Sequence, residues 1–269
     1  MLNMSRHSPA INNNIGGWNQ NPAWEHFSAL VQATTDGVAA PNRTVRFHHA
    51  KAALYAAIGS IESFLNVTMH AHLRSQGLDA DAIREHIRKP PFAHKVKKWP
   101  TDLAGKKVEA SSTTLTSLFG WQKLRDEVTH PKVDHSHYQQ LAAVQLDVMR
   151  PTIAEFIVHV LHERDEIYPH WLLGWNFTKG PEHNEPILLN NQQFLFALSH
   201  LGFDVPVFAA NQMRQWEEHF MTSVDGYRAV DTALQSIEYC EPCDARFRFA
   251  PRLCRKWWDA AHTAICGNR

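Results

Sequence analysis

The feature that most constrains this chain is an apolar stripe in residues 43–75, where Leu54, Ile58, Ile61, Leu65 and Met69 follow one another at steps of three and four. That spacing lines one side of a helix. Pro41-Asn42 supplies a cap before the segment and Gly77 a stop after it. A helix with a continuous apolar stripe must be covered, and the rest of the chain offers more helical stripes to cover it. Strand-like alternation is scarce and no internal repeat is present, so the expected fold class is all-α.

Three regions follow from the pattern: residues 1–40 as an N-terminal arm with a short helix, 41–165 as a helical bundle, and 166–269 as a helical C-terminal extension. The arm is rich in Asn, Gly and Pro, and Trp24, Phe27, Leu30 and Val31 build the short helix. Asp79 caps a further short helix that Pro90-Pro91 ends. Residues 84–107 then hold eight Lys/Arg against two acidic residues, with Phe92 and Trp99 interleaved. Lys95, Lys97, Lys98 and Trp99 are the RNA-binding candidates here, since lysines meet phosphates and an indole stacks on a base. A solvated basic loop anchored by one tryptophan is the competing reading. After residues 113–129, a long helix is expected up to about Arg164, kinked at Pro151, which lacks a backbone donor. In the extension, helices are expected at 190–202 and 207–238, with a break at Gly226.

Composition excludes several classes. Net charge is zero with neutral histidines, so no global field draws the chain to nucleic acid or membrane. Without an evident apolar run of about 18 residues or an apolar signal core, no membrane span is expected and the location is expected to be cytoplasmic. No Gly-rich phosphate loop, metalloprotease helix or nucleophile elbow is present, and no cofactor is expected. Cys240, Cys243, Cys254, His262 and Cys266 invite a zinc reading. The second half lacks a tight cysteine pair, so reduced core thiols are the preferred reading and no metal is expected.

The stretch with chemical potential is Leu124-Arg125-Asp126-Glu127-Val128-Thr129-His130-Pro131. Arg125 shares a sector with Leu118 and Trp121, on a stripe that should be buried. A buried arginine needs a partner, and Glu62, one turn from Asn66 on the edge of the 43–75 stripe, is the expected carboxylate. Pro131 disfavours helix at His130, so the helix should end at Thr129 and let the imidazole swing towards the guanidinium. Arg-to-His spacings of this kind also occur at Arg43/His48, Arg88/His94, Arg164/His170 and Arg214/His219, so spacing alone selects nothing. The apolar setting, the adjacent aspartate and the proline-forced helix end single out Arg125, Asp126 and His130.

That setting resembles the HEPN superfamily, helical-bundle proteins that include RNA-cleaving toxins and defence factors, over roughly residues 42–165. The shared signature is arginine, a polar residue, a short spacer and histidine at the end of a late helix, with polar residues on a long earlier helix, here Tyr55 to Asn66. The resemblance implies an antiparallel bundle and a metal-independent endoribonuclease that leaves 2′,3′-cyclic phosphates. It also implies a homodimer pairing two motifs across a composite cleft, with catalytic Arg125, Asp126 and His130 supported by Glu62 and Asn66. RNA is the expected partner, with an antitoxin or regulatory protein also in view. The rival expectation is a non-catalytic module of the same fold that binds nucleotides, RNA or proteins.

Overall fold

In the computed structural model the described residues are 14–15, 18–19, 21–130, 136–173, 177–179, 186–188, 195, 198–199, 203–206 and 209–235. They are mostly helical, and the fold class is all-α. The strands among them form two short antiparallel hairpins, β1 (Asn14–Ile15) with β2 (Trp18–Asn19) and β3 (Phe177–Lys179) with β4 (Pro186–Leu188). The chain divides into two compact units, Met1–Arg164 and Asp165–Arg269.

In the first unit α2 (Arg43–Ser75) is the central element, capped by the Asn42 side chain, which accepts from the Val45 amide at 3.0 Å. Leu54, Ile58, Ile61 and Leu65 are fully buried and Met69 is 1% exposed. This helix is long and apolar enough to cross a membrane by length and composition, unlike the expectation above. Yet 56% of its apolar window is buried inside the fold, as in the core helix of a globular unit. Helix α1 (Pro22–Val38), grouped with the arm by sequence, is a full member of this core. It packs antiparallel to α2 through Phe27, Leu30 and Val31, so that Gly37 faces His49 and Gly59 faces His26.

Helix α3 (Ala80–Arg88) starts on Asp79, whose carboxylate accepts two backbone amides at 2.9 Å. The basic stretch is not a loop: residues 92–104 form α4 (Phe92–Ala104), closed by Gly105 in the left-handed region at φ 66°. Phe92, Val96, Trp99 and Leu103 make its buried stripe against α2. A short helix and a longer one replace the single helix expected before residue 164, α6 (Ser136–Ala143) and α7 (Leu146–His162). The break falls at Val144 and Gln145, and Pro151 sits inside α7. Arg46 explains the place of the break, since its guanidinium donates to the carbonyls of Ala142 (2.9 Å) and Val144 (2.7 Å). Those carbonyls would otherwise end α6 unsatisfied.

The second unit holds a 3₁₀ turn (His170–Leu173), α8 (Ala210–Phe220) and α9 (Val224–Gln235). The expected 207–238 helix is thus split at residues 221–223 rather than at Gly226. Gly226 lies inside α9, where a Cβ would stand 2.5 Å from the Phe220 carbonyl oxygen, so only glycine fits. Its amide donates to Ser223 Oγ at 3.0 Å, which starts the new helix. Of the helix expected at 190–202, only residues 195, 198 and 199 are described, with Leu195 and Leu198 buried.

Candidate functional site

Helix α5 (Ser112–Thr129) begins on Ser111, whose Oγ accepts the Thr114 amide at 3.1 Å, and ends at Thr129 as Pro131 requires. His130 leaves the helix at φ −123° and ψ 70°, with its amide still donating to the Asp126 carbonyl at 2.9 Å. Its side chain is exposed. Of the large apolar residues of α5, Leu118 and Leu124 are buried, whereas Leu115, Phe119, Trp121 and Val128 are half-buried.

Arg125 does not meet Glu62. Its Nε and Nη2 donate to Asp126 Oδ1 at 3.0 and 2.7 Å, and its side chain is 24% exposed against 51% for Asp126. The guanidinium is therefore oriented by its own neighbour at the surface, while Nη1 has no partner among the described residues. The side of α5 that carries Arg125 is only half covered, so the arginine reaches water and needs no buried carboxylate.

Glu62 and Asn66 serve another cation. Lys95 Nζ donates to Glu62 Oε1 at 2.8 Å and to Asn66 Oδ1 at 2.9 Å. It also lies 5.3 Å from the centroid of the Trp99 ring. The Lys95 side chain is 5% exposed and that of Glu62 is 37% exposed. Lys95 stands beside Val96 on the inward side of α4, so its stem is buried and its ammonium is delivered to the polar edge of α2. Two RNA-binding candidates are thereby corrected: Lys95 is a buried structural cation, and Trp99, 1% exposed and stacked on His86, presents no face to a base.

Lys97 and Lys98 are exposed, as expected of phosphate contacts. Lys97 Nζ lies 5.0 Å above the Phe119 ring of α5. Phe119 and Asp126 are seven residues apart, hence on the same side of α5 and roughly 10 Å apart along its axis. A positive charge thus lies on the side of α5 where Asp126 and the Arg125 guanidinium meet.

One contact had no advance sign in the sequence. Tyr55 Oη of α2 lies 2.6 Å from Thr129 Oγ1, and Thr129 Oγ1 donates to the Arg125 carbonyl at 2.7 Å. Tyr55 occupies the same sector of α2 as Glu62, being seven residues away. Among the described residues no group of three His, Cys, Asp or Glu side chains is placed to hold a metal. Cys240, Cys243, Cys254, His262 and Cys266 lie outside the described residues.

Arg125 and His130 offer two kinds of chemistry. A guanidinium binds a phosphate through paired donors, and an imidazole can both donate and accept a proton. Comparison with protein-family models, curated proteins and solved structures gives no match for this chain.

Proposed function

We propose that the protein is a metal-independent endoribonuclease of the HEPN type, acting as a homodimer that pairs two copies of the motif. RNA carries its own nucleophile in the 2′-hydroxyl, so the protein has to supply only charge stabilisation and proton transfer. Arg125 Nη1 holds a non-bridging phosphate oxygen and stabilises the charge that develops there. Asp126 fixes the guanidinium plane. His130 exchanges the proton, either taking it from the 2′-hydroxyl or giving it to the leaving oxygen, a role worth about 10²–10⁴-fold. Lys97 and Lys98 contact neighbouring phosphates. The cytoplasm is the proposed location, and an antitoxin or regulatory protein remains a proposed partner class.

The observation that carries this reading is the surface placement of the two side chains: Arg125 held by Asp126 with Nη1 unpartnered among the described residues, and His130 exposed immediately past the helix end. Glu62, the carboxylate expected to hold Arg125, is taken by Lys95 instead.

The test is cleavage of structured and single-stranded RNA in excess chelator, with 2′,3′-cyclic ends as the expected product. His130→Ala and Arg125→Ala should each abolish it. Arg125→Lys should stay poor because an ammonium lacks the planar fork. Both alanine variants should lose less than about 1 kcal/mol of stability, since the residues lie at the surface and an exposed ion pair contributes little. A wild-type chain that cleaves no RNA yet binds it would move the assignment to the non-catalytic module, which the half-buried aromatics Phe119 and Trp121 on α5 favour. Cleavage surviving in both alanine variants would exclude this site.

A further inference from the structure

We infer that Tyr55 is a positioning residue for His130, acting from α2 through the hydroxyl of Thr129. The direction of the contact follows from proton counting. Thr129 has a single hydroxyl proton, and it is committed to the Arg125 carbonyl at 2.7 Å. The 2.6 Å contact between Tyr55 Oη and Thr129 Oγ1 must then run from tyrosine to threonine. The result is a directed chain: the Tyr55 phenol donates to Thr129, and Thr129 donates to the carbonyl of the clamp residue itself.

The location of this chain matters more than its strength. The last carbonyls and the last turn of a helix have no intrahelical continuation and fray readily. At the end of α5, the residue about to leave the helix is the proposed proton carrier. Thr129 is the hinge residue between Arg125, four residues before it, and His130, directly after it. With its side chain pinned from both sides, the backbone enters His130 in one direction and the imidazole is held at one distance from the guanidinium. Tyr55 is well suited to the role because α5 packs directly on α2, while Tyr55 itself is 43% exposed beside the end of α5. The catalytic consequence rests on the ribonuclease reading, but the positioning does not.

The experiment uses the full chain with Tyr55→Phe, Thr129→Val and the double variant. Both substitutions keep the shape and remove only the hydroxyls. Amide hydrogen exchange at Thr129 and His130 is read by nuclear magnetic resonance, together with the His130 ring signals across a pH titration. Tyr55→Phe should exchange roughly two- to tenfold faster at those amides, the loss of one hydrogen bond, and Thr129→Val, which loses two, at least as fast. The double variant should be no faster than Thr129→Val alone, because that substitution already breaks both links of the chain. In the cleavage assay kcat should fall with KM held, since the Arg125 clamp is kept. Unchanged exchange and unchanged His130 ring signals in Tyr55→Phe would overturn the inference, whether or not the protein cleaves RNA. Additive effects in the double variant would overturn it too, since they would mean two separate contacts. If the wild type cleaves nothing while the exchange result holds, the ribonuclease reading fails and the positioning stands.

Discussion

The Lys95–Glu62 pair makes an unequal prediction for its two halves. Both partners contribute to one 2.8 Å contact, with a gross attraction of roughly 6 kcal/mol at an effective dielectric of about 20. Their surroundings differ: the Lys95 side chain is 5% exposed and the Glu62 side chain 37%. Glu62→Leu leaves an ammonium in the interior with only the Asn66 carbonyl oxygen and the Trp99 face, and should cost about 3 kcal/mol, the low end for orphaning a buried charge. Lys95→Met leaves a carboxylate that already reaches water, and methionine refills much of the lysine stem, so the cost should be about 1 kcal/mol. The double variant should return to within about 1 kcal/mol of wild type, because no charge is left stranded. Native-state hydrogen exchange of the buried α2 amides in the full chain reads the stability of this unit directly. Should Lys95→Met prove as damaging as Glu62→Leu, or the double variant be the worst of the three, the burial argument would be refuted.

Other outcomes can be checked with the same material. In a His130→Ala background, Lys97→Ala and Lys98→Ala should each weaken RNA binding and lower the slope of log affinity against log salt by about 0.7, whereas Lys95→Met should leave the slope unchanged. Filter-binding titrations over a salt series decide it, and equal effects at all three lysines would count against the separation drawn here. Gly37→Ala should destabilise the first unit by about 1–3 kcal/mol despite alanine's better helix propensity, because a Cβ at this position would lie 3.0 Å from His49 Cβ and closer still to Leu146. A neutral or stabilising result in urea unfolding would mean that α1 and α7 have room to separate. Burial pushes the Tyr168 phenol far above its ordinary value, with Tyr227 and Asp231 adding to the effect. Folded Tyr168 therefore keeps its proton where the unfolded chain loses it, so this contribution to stability is complete below about pH 10 and is lost as pH rises beyond. Tyr168→Phe should flatten the alkaline loss of stability in unfolding curves taken from about pH 9 to pH 11.5, and identical curves would contradict it.

Much of the frame was legible because its signals are local. Helix α2 begins and ends where the Asn42 cap and Gly77, here at φ 85°, place it. Thr129 ends α5 because Pro131 acts on its neighbour alone. Helix α4 was hidden by its own charge. Phe92, Val96, Trp99 and Leu103 have proper helical spacing, yet Lys95, Lys97 and Lys98 between them read as a solvated loop flanked by prolines. The partner of Glu62 was beyond reach for a different reason. Both Lys95 and Arg125 come from helices that pack on α2, and only the rotation of each helix decides which cation arrives at Glu62. Rotation of that kind is set by packing, not by any pattern within one segment. The Tyr55–Thr129 bond joins residues 74 apart and belongs to the same class.

The position of α2 has a consequence for how such a protein diversifies. Helices α1, α3, α4, α5, α6 and α7 all pack against it, while among themselves they meet chiefly as α1 with α7 and α5 with α6. The unit is a hub with spokes. A substitution that reshapes one spoke is felt chiefly by the hub, so changes spread little around the periphery. Helix α5 is the spoke that carries Arg125 and His130; its main ties are to α2 and α6, and Lys97 over the Phe119 ring links it to α4. New solvent-facing residues on α5 can thus be tried without redesigning α1 or α3, provided that Leu118, Phe119, Leu124 and the Thr129 hydroxyl are kept. For an engineer this makes α5 a replaceable cartridge, and in a lineage it would let recognition drift quickly on a scaffold that hardly changes.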